Sequence, residues 1–242
     1  MLPPASFPVG ALIAVALAGA GEALAQAPAG RARPTSAAQA VPAGPLVDAS
    51  LLRALKARSI GPAVMGGRVS EIALDPKDPF TFYVALGTGG VMKTSDNGVT
   101  WEAVFAREAV AAVGAVAVSP ADPKVVWVGT GEANDRNSSS WGDGVYRSAD
   151  GGATWKHVGL RASRAIARIV VHPTDADTAW VAALGDLWQP GGERGLYKTT
   201  DGGATWKAVL AADPPYAGRV GCGEVALDPS DPGVLYAALY AR

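Results

Sequence analysis

An eight-residue phrase occurs three times in this chain, and it constrains the fold more than any other feature. The copies are Thr94–Trp101, Ser148–Trp155 and Thr199–Trp206, sharing the pattern Ser/Thr-x-Asp-x-Gly-x-Thr-Trp. Their aspartates, Asp96, Asp150 and Asp201, stand 54 and then 51 positions apart. Self-similarity at such a period belongs to a stack or ring of one repeated supersecondary unit. The phrase reads as a chain reversal between two strands. An Asp side chain accepts hydrogen bonds from backbone N–H groups just ahead of it and holds a tight turn. Gly98, Gly152 and Gly203 permit positive φ. Trp101, Trp155 and Trp206 add apolar area that clamps the turn onto the body. A catalytic residue is needed once and a turn residue in every copy, so these nine residues are expected to be structural.

A second register runs around the phrases. Pro/Asp turns at Asp75–Pro79, Ser119–Pro123, His172–Asp175 and Asp228–Pro232 each follow an alternating apolar run. Large residues occupy one face of those runs: Ile72 and Leu74, Val116 and Val118, Ile169 and Val171, Val225 and Leu227. Period-two alternation predicts a strand. Five residues beyond Asp78, Asp122, Asp175 and Asp231 stand Tyr83, Trp127, Trp180 and Tyr236, so an aromatic-bearing strand follows each turn. The unit is four strands, repeated over about 69–106, 113–159 and 166–211, with an incomplete copy over about 220–242. The expectation is an all-β chain, a β-propeller of four-stranded blades. About three and a half blades are present, too few to close a ring, since propellers have at least about four. The chain reads as a fragment of a longer protein.

The repeated phrase resembles the Asp-box, or BNR repeat, of sialidases, sortilin-type receptors and xyloglucan-degrading glycoside hydrolases, in which it sits on a hairpin of a propeller blade. The resemblance covers residues from about 57 to 242. Arg58-Ser59-Ile60-Gly61-Pro62, Gly66-Gly67-Arg68-Val69, Gly129-Thr130-Gly131-Glu132 and Trp141-Gly142-Asp143-Gly144-Val145-Tyr146 look like a group of secreted bacterial propellers. That group is described as sortilin-N-terminal-domain-like or "glycosyl hydrolase". The xyloglucan-degrading enzymes imply a catalytic Asp in the first blade's second loop, just before Gly-Gly. Here that stretch is Gly87-Thr88-Gly89-Gly90, with no acid. The arginine triad and Tyr/Glu pair of sialidases are not found as a set.

Residues 1–27 read as a signal peptide, with an apolar run from Val9 to Ala20 too short to span a bilayer comfortably and small-x-small sites near Ala25 and Ala27. Residues 28–47 read as an Ala/Pro linker, and 48–56 as a short helix capped by Asp48 or Ser50. A secreted or periplasmic location follows. Net charge is −1, which gives no general case for nucleic-acid binding. One cysteine, Cys222, and two histidines in different repeats offer no metal spacing. No metal, cofactor or membrane span is expected. Cys222 reads as a small buried strand residue. Glu71, Arg168 and Glu224 share one register, five residues before the turn proline, and read as channel-side ion pairs between inner strands, a structural role.

Both repeated turns lie on one rim of an up-and-down blade, so binding is expected on the other, where loops differ between blades. The long loops there are Gly131–Asp143 and Gly185–Arg194. Trp141 and Trp188 fall outside the repeat positions that place the other five tryptophans in the core. Beside them stand Glu132, Asp135, Arg136, Asp143, Asp186, Glu193 and Arg194. An aromatic face with polar neighbours suits a sugar ring or an extended peptide; packing of the loops by the tryptophans is the alternative. Nothing in the sequence pairs two of these carboxylates as a glycosidase requires. Salt bridges to Arg136 and Arg194 are their plainer use. The expected function is a secreted ligand-binding or scaffold module, sortilin-like, taking a protein, peptide or polysaccharide. The alternative is a glycoside hydrolase related to the xyloglucan-degrading propellers. No catalytic residue is assigned.

Overall fold

The alternating runs and the turns between them build antiparallel sheets. A computed structural model describes residues 67–241 except Asp135, which lies outside the described residues. So do the expected signal peptide, linker and short helix. The first sheet joins β1 (Val69–Asp75), β2 (Asp78–Leu86), β3 (Gly90–Thr94) and β4 (Glu102–Ala103) in that order. The second joins β5 (Val113–Val118), β6 (Val126–Thr130), β7 (Val145–Ser148) and β8 (Lys156–Gly159). The third joins β9 (Ile166–His172), β10 (Asp175–Ala183), β11 (Gly195–Thr199) and β12 (Lys207–Leu210). The fourth has β13 (Val220–Leu227) and β14 (Leu235–Ala241). Sequential strands are neighbours throughout, the meander of a propeller blade. The chain is all-β, an incomplete β-propeller. No helix among the described residues is long and apolar enough to cross a membrane.

The core lies between sheets. Val116, Val118, Val126 and Val128 of the second sheet pack on Tyr83, Ala85 and Val91 of the first. Ile169, Val171, Ala179 and Val181 of the third pack on Trp127, Val145 and Val158 of the second. Cys222 and Val225 of the fourth meet Trp180, Ala182 and Leu196. Period-two alternation thus gives each strand one face for the preceding sheet and one for the next. Cys222 is buried, and burial pushes its thiol up.

Each repeated turn is closed by the same bonds. One oxygen of Asp150 accepts the Thr154 N–H at 2.8 Å and the Ser148 hydroxyl at 2.7 Å. The other accepts the Thr154 hydroxyl at 2.6 Å. Asp96 and Asp201 do likewise with Thr100 and Thr94, and with Thr205 and Thr199. These bonds from Thr154 and Thr205 hold the Asp150 and Asp201 carboxyls at about 2.

The tryptophan that ends the phrase binds the preceding sheet. Trp155 Nε1 donates to the Val104 carbonyl at 2.9 Å, and Trp206 Nε1 to the Val158 carbonyl at 2.6 Å. Trp101 departs from its expected place in the core. It is 44% exposed, and its Nε1 donates to Gly98 of its own turn at 3.0 Å. No preceding sheet among the described residues covers it. Tyr236, at an aromatic repeat position, is exposed for the matching reason: no further sheet follows the fourth among the described residues.

Candidate functional site

On the rim opposite the repeated turns, the two long loops carry most of the polar chemistry. Among the described residues, their carboxylates are committed to holding the loops. Glu132 is 1% exposed. Its two oxygens take a double hydrogen bond from the Arg68 guanidinium, with the Nε–Oε1 distance 2.7 Å. The Asn134 amide adds a 3.3 Å bond to the same carboxylate. Paired donors are the geometry that makes a buried carboxylate tolerable. Glu132 also lies under the short β2–β3 loop, where a Cβ on Gly87 would stand 3.2 Å from its carboxyl carbon.

Asp143 accepts the Tyr146 hydroxyl at 2.9 Å and lies 3.7 Å from Arg161. Burial and this bond push the Tyr146 phenol up. Asp186 caps its own loop, accepting the N–H groups of Trp188 at 2.8 Å and Gln189 at 3.2 Å. Glu193 accepts the Ala162 N–H at 2.8 Å, tying the loop to the short 3-10 turn Arg161–Ser163. Arg194 is buried and donates to the carbonyls of Leu184 at 2.8 Å, Gln189 at 2.6 Å, Gly191 at 2.9 Å and Asp186. It bonds only to carbonyls there, so burial lowers its pKa. Arg136 is exposed, and its carbonyl accepts the Ser139 hydroxyl at 3.2 Å. Among the described residues the ion pairs of these loops are Glu132–Arg68 and Asp143–Arg161, and no pair with Arg136 or Arg194 is formed.

Besides Arg136, both candidate tryptophans are turned outward. Trp141 is 54% exposed, with the Arg164 guanidinium 5.2 Å from its ring centre. Trp188 is 53% exposed, beside Pro190 and Arg219 at a surface recess. An exposed indole with an arginine beside it can stack on a flat apolar face and hydrogen-bond its rim.

Next to these loops the inner strands line a half-open pocket of about 520 Å³, with Ser70, Glu71, Asn134, Arg168, Leu187 and Glu224 among its walls. Arg168 is its hub. Its guanidinium bonds Glu224 through Nε at 2.7 Å and Nη2 at 3.2 Å, and Glu71 through Nη1. The ion pairs read from their shared register are therefore formed, and they line this pocket. Glu71 also accepts the Val116 N–H at 3.0 Å. The two carboxyls respond differently. Burial pushes Glu71 up, outweighing the pull of Arg168. Glu224 is more exposed, and its bond to Arg168 holds it down. Sequence reading missed Arg68 as the partner of Glu132, though Arg68 stands directly before β1, while it expected Glu71, Arg168 and Glu224 on the channel side, where they line this pocket. Among the described residues no group of three or more His, Cys, Asp or Glu side chains could hold a metal ion.

No family model matches the chain. In sequence it is 27% identical over 176 residues to a xyloglucanase of Acetivibrio thermocellus, covering 58% of this chain and 20% of that protein. It is 27% identical over 175 residues to a xyloglucanase of a Paenibacillus species, covering 58% of this chain and 16% of that protein. The chain thus spans about a fifth of the length of these curated relatives. Among solved structures, an ancestral GH74 enzyme superposes with a TM-score of 0.58 at 21% identity, covering 75% of this chain and 23% of that one. The GH74 xyloglucanase of Xanthomonas campestris gives 0.56 at 22% identity, covering 72% and 27%. These structures support the propeller fold. The sequence relatives back the glycoside-hydrolase alternative better than the sortilin-like scaffold. The chain is an incomplete β-propeller similar in sequence to xyloglucanases.

Proposed function

We propose that this chain is the glycan-holding part of a secreted propeller of the glycoside-hydrolase kind, directed at a xyloglucan-type β-glucan. The observation that carries the proposal is the 27% identity to xyloglucanases over 176 residues. The exposed indoles of Trp141 and Trp188, on neighbouring loops of one rim, supply the stacking faces such a ligand would use. Sugar rings present a flat C–H face and a border of hydroxyls. Indole takes the face, and Arg164 and Arg219 stand where hydroxyls would be met. The role assigned here is binding. Glu132, Asp143, Asp186 and Glu193 each hold a loop, so none is assigned as acid, base or nucleophile.

Titration calorimetry with xyloglucan oligosaccharides tests this directly. Binding is expected for the unaltered chain, with Trp141→Ala and Trp188→Ala each weakening it about tenfold or more while the melting temperature holds. Equal affinity of both variants and the parent, or no heat of binding with any β-glucan, overturns the proposal.

A further inference from the structure

The link between β8 and β9 holds an arginine in a strained backbone. Its 3-10 turn, Arg161–Ser163, is followed by Arg164 with φ 59° and ψ −41°. The Ala165 N–H donates to the Ser163 carbonyl at 2.6 Å. Arg164 is therefore the centre of a γ-turn of the rare, strained hand. Among the described residues the other non-glycine residues with positive φ are Asn97 and Leu160. Asparagine visits that region readily. Leu160, at φ 54° and ψ 43°, sits in the ordinary left-handed well. Arg164 lies outside it.

Main-chain bonds to both long loops hold this turn. Gly142, next to Trp141, donates its N–H to the Arg164 carbonyl at 2.8 Å. The same carbonyl approaches so closely that a Cβ on Gly131 would stand 1.8 Å from it. On the other side the Ala165 carbonyl accepts the Leu184 N–H at 3.0 Å, and the Ala162 carbonyl accepts the Glu193 N–H at 3.2 Å. Ala165 shares an apolar cluster with Leu187 of one loop and Ala133 of the other. A glycine in place of Arg164 would keep every one of these bonds and relieve the strain. What the arginine adds is its side chain. That side chain is exposed, its guanidinium lies 5.2 Å from the Trp141 ring centre, and it has no ion pair among the described residues. Arg68, just before β1, shows the contrast, because its guanidinium is taken by Glu132. Strain kept where the fold does not need the side chain points to function.

We infer that Arg164 is a specificity-determining residue of the Trp141 platform, and that its guanidinium takes two neighbouring oxygens of the sugar ring that stacks on the indole. The inference rests on the binding role proposed above and deepens it. A guanidinium carries its N–H donors in one rigid plane, an edge that matches paired oxygens. Contact with the indole keeps that group beside a stacked ring. Fixing its backbone between two tied loops leaves less freedom to be lost on binding.

Calorimetry with xyloglucan oligosaccharides and thermal melting, both on the full chain and its variants, test this. Arg164→Gly relieves the strain and removes the guanidinium. It should melt at or above the parent and bind about tenfold more weakly. Arg164→Ala removes the guanidinium but keeps the strain, so it should bind as weakly and melt below Arg164→Gly. Arg164→Lys keeps the charge without the paired edge and should bind no better than Arg164→Ala. Trp141→Ala separates the inference from the reading beneath it. Weakened binding by Trp141→Ala together with parent-like binding by Arg164→Gly overturns the inference alone. Parent-like binding by Trp141→Ala, or no binding by the parent, overturns the platform and the inference with it. Arg164→Gly melting below Arg164→Ala, or Arg164→Lys binding as the parent does, also overturns the inference.

Discussion

At the scale of single residues, the repeated aspartates set a pH dependence. Asp150 and Asp201 are held at about 2 by hydrogen bonds to their carboxylates. An unfolded aspartate titrates near 3.9. The folded value is the lower one, so their stabilisation is complete above about pH 4 and is lost as pH falls through about 2. Asp150→Asn and Asp201→Asn keep an acceptor oxygen and lose the charge. Both variants should melt below the parent at neutral pH, with the gap closing toward about pH 2; melts across that range check it. These turns were legible in the sequence because every partner lies within four positions. Glu132 was not legible in the same way. Its partner Arg68 is 64 positions away, and only folding brings them together.

At the scale of the element, a glycine's cost of substitution depends on what its hairpin docks against. Gly203 has φ +87° and would place a Cβ 2.7 Å from Val158. Gly191 has φ +95° with nothing within 4 Å. Both substitutions to alanine pay backbone strain of about 1 kcal/mol, and Gly203→Ala adds a clash with the neighbouring sheet for a total of about 2–4 kcal/mol. Urea unfolding of the two variants measures the difference. The sequence showed where each turn must be, and a glycine with positive φ was expected there. It did not show that the same glycine touches the preceding sheet, because that contact joins two repeats. Trp101 teaches the same point. It is identical in motif to Trp155 and Trp206, yet it lies exposed, since burial belongs to the neighbour and not to the motif.

At the scale of the whole molecule, Arg168 ties three sheets together through Glu71 on β1 and Glu224 on β13. Glu71 is the more buried partner, so Arg168→Met would leave its charge with only the Val116 N–H to offset it. Removing one member of a fully buried pair costs about 3–5 kcal/mol, and partial exposure of Arg168 places this variant nearer 2–3 kcal/mol. Burial raises the Glu71 carboxyl, so the variant's deficit should shrink as pH falls toward 4 and Glu71 takes up a proton. Chemical denaturation at about pH 7 and pH 4.5 reads both effects.

The sequence by itself determined the repeat, the strand alternation, the turn chemistry and so the propeller. It also placed the Glu71–Arg168–Glu224 register. All of these rest on strand alternation, on bonds between near neighbours, or on the repeat itself, which puts equivalent residues of successive sheets in one register. The tertiary structure decided which rim carboxylates are spoken for, which tryptophans face outward, and how wide a pocket the inner strands line. Those properties depend on residues from different sheets. Arg68 meets Glu132 across 64 positions, and no local pattern encodes that meeting.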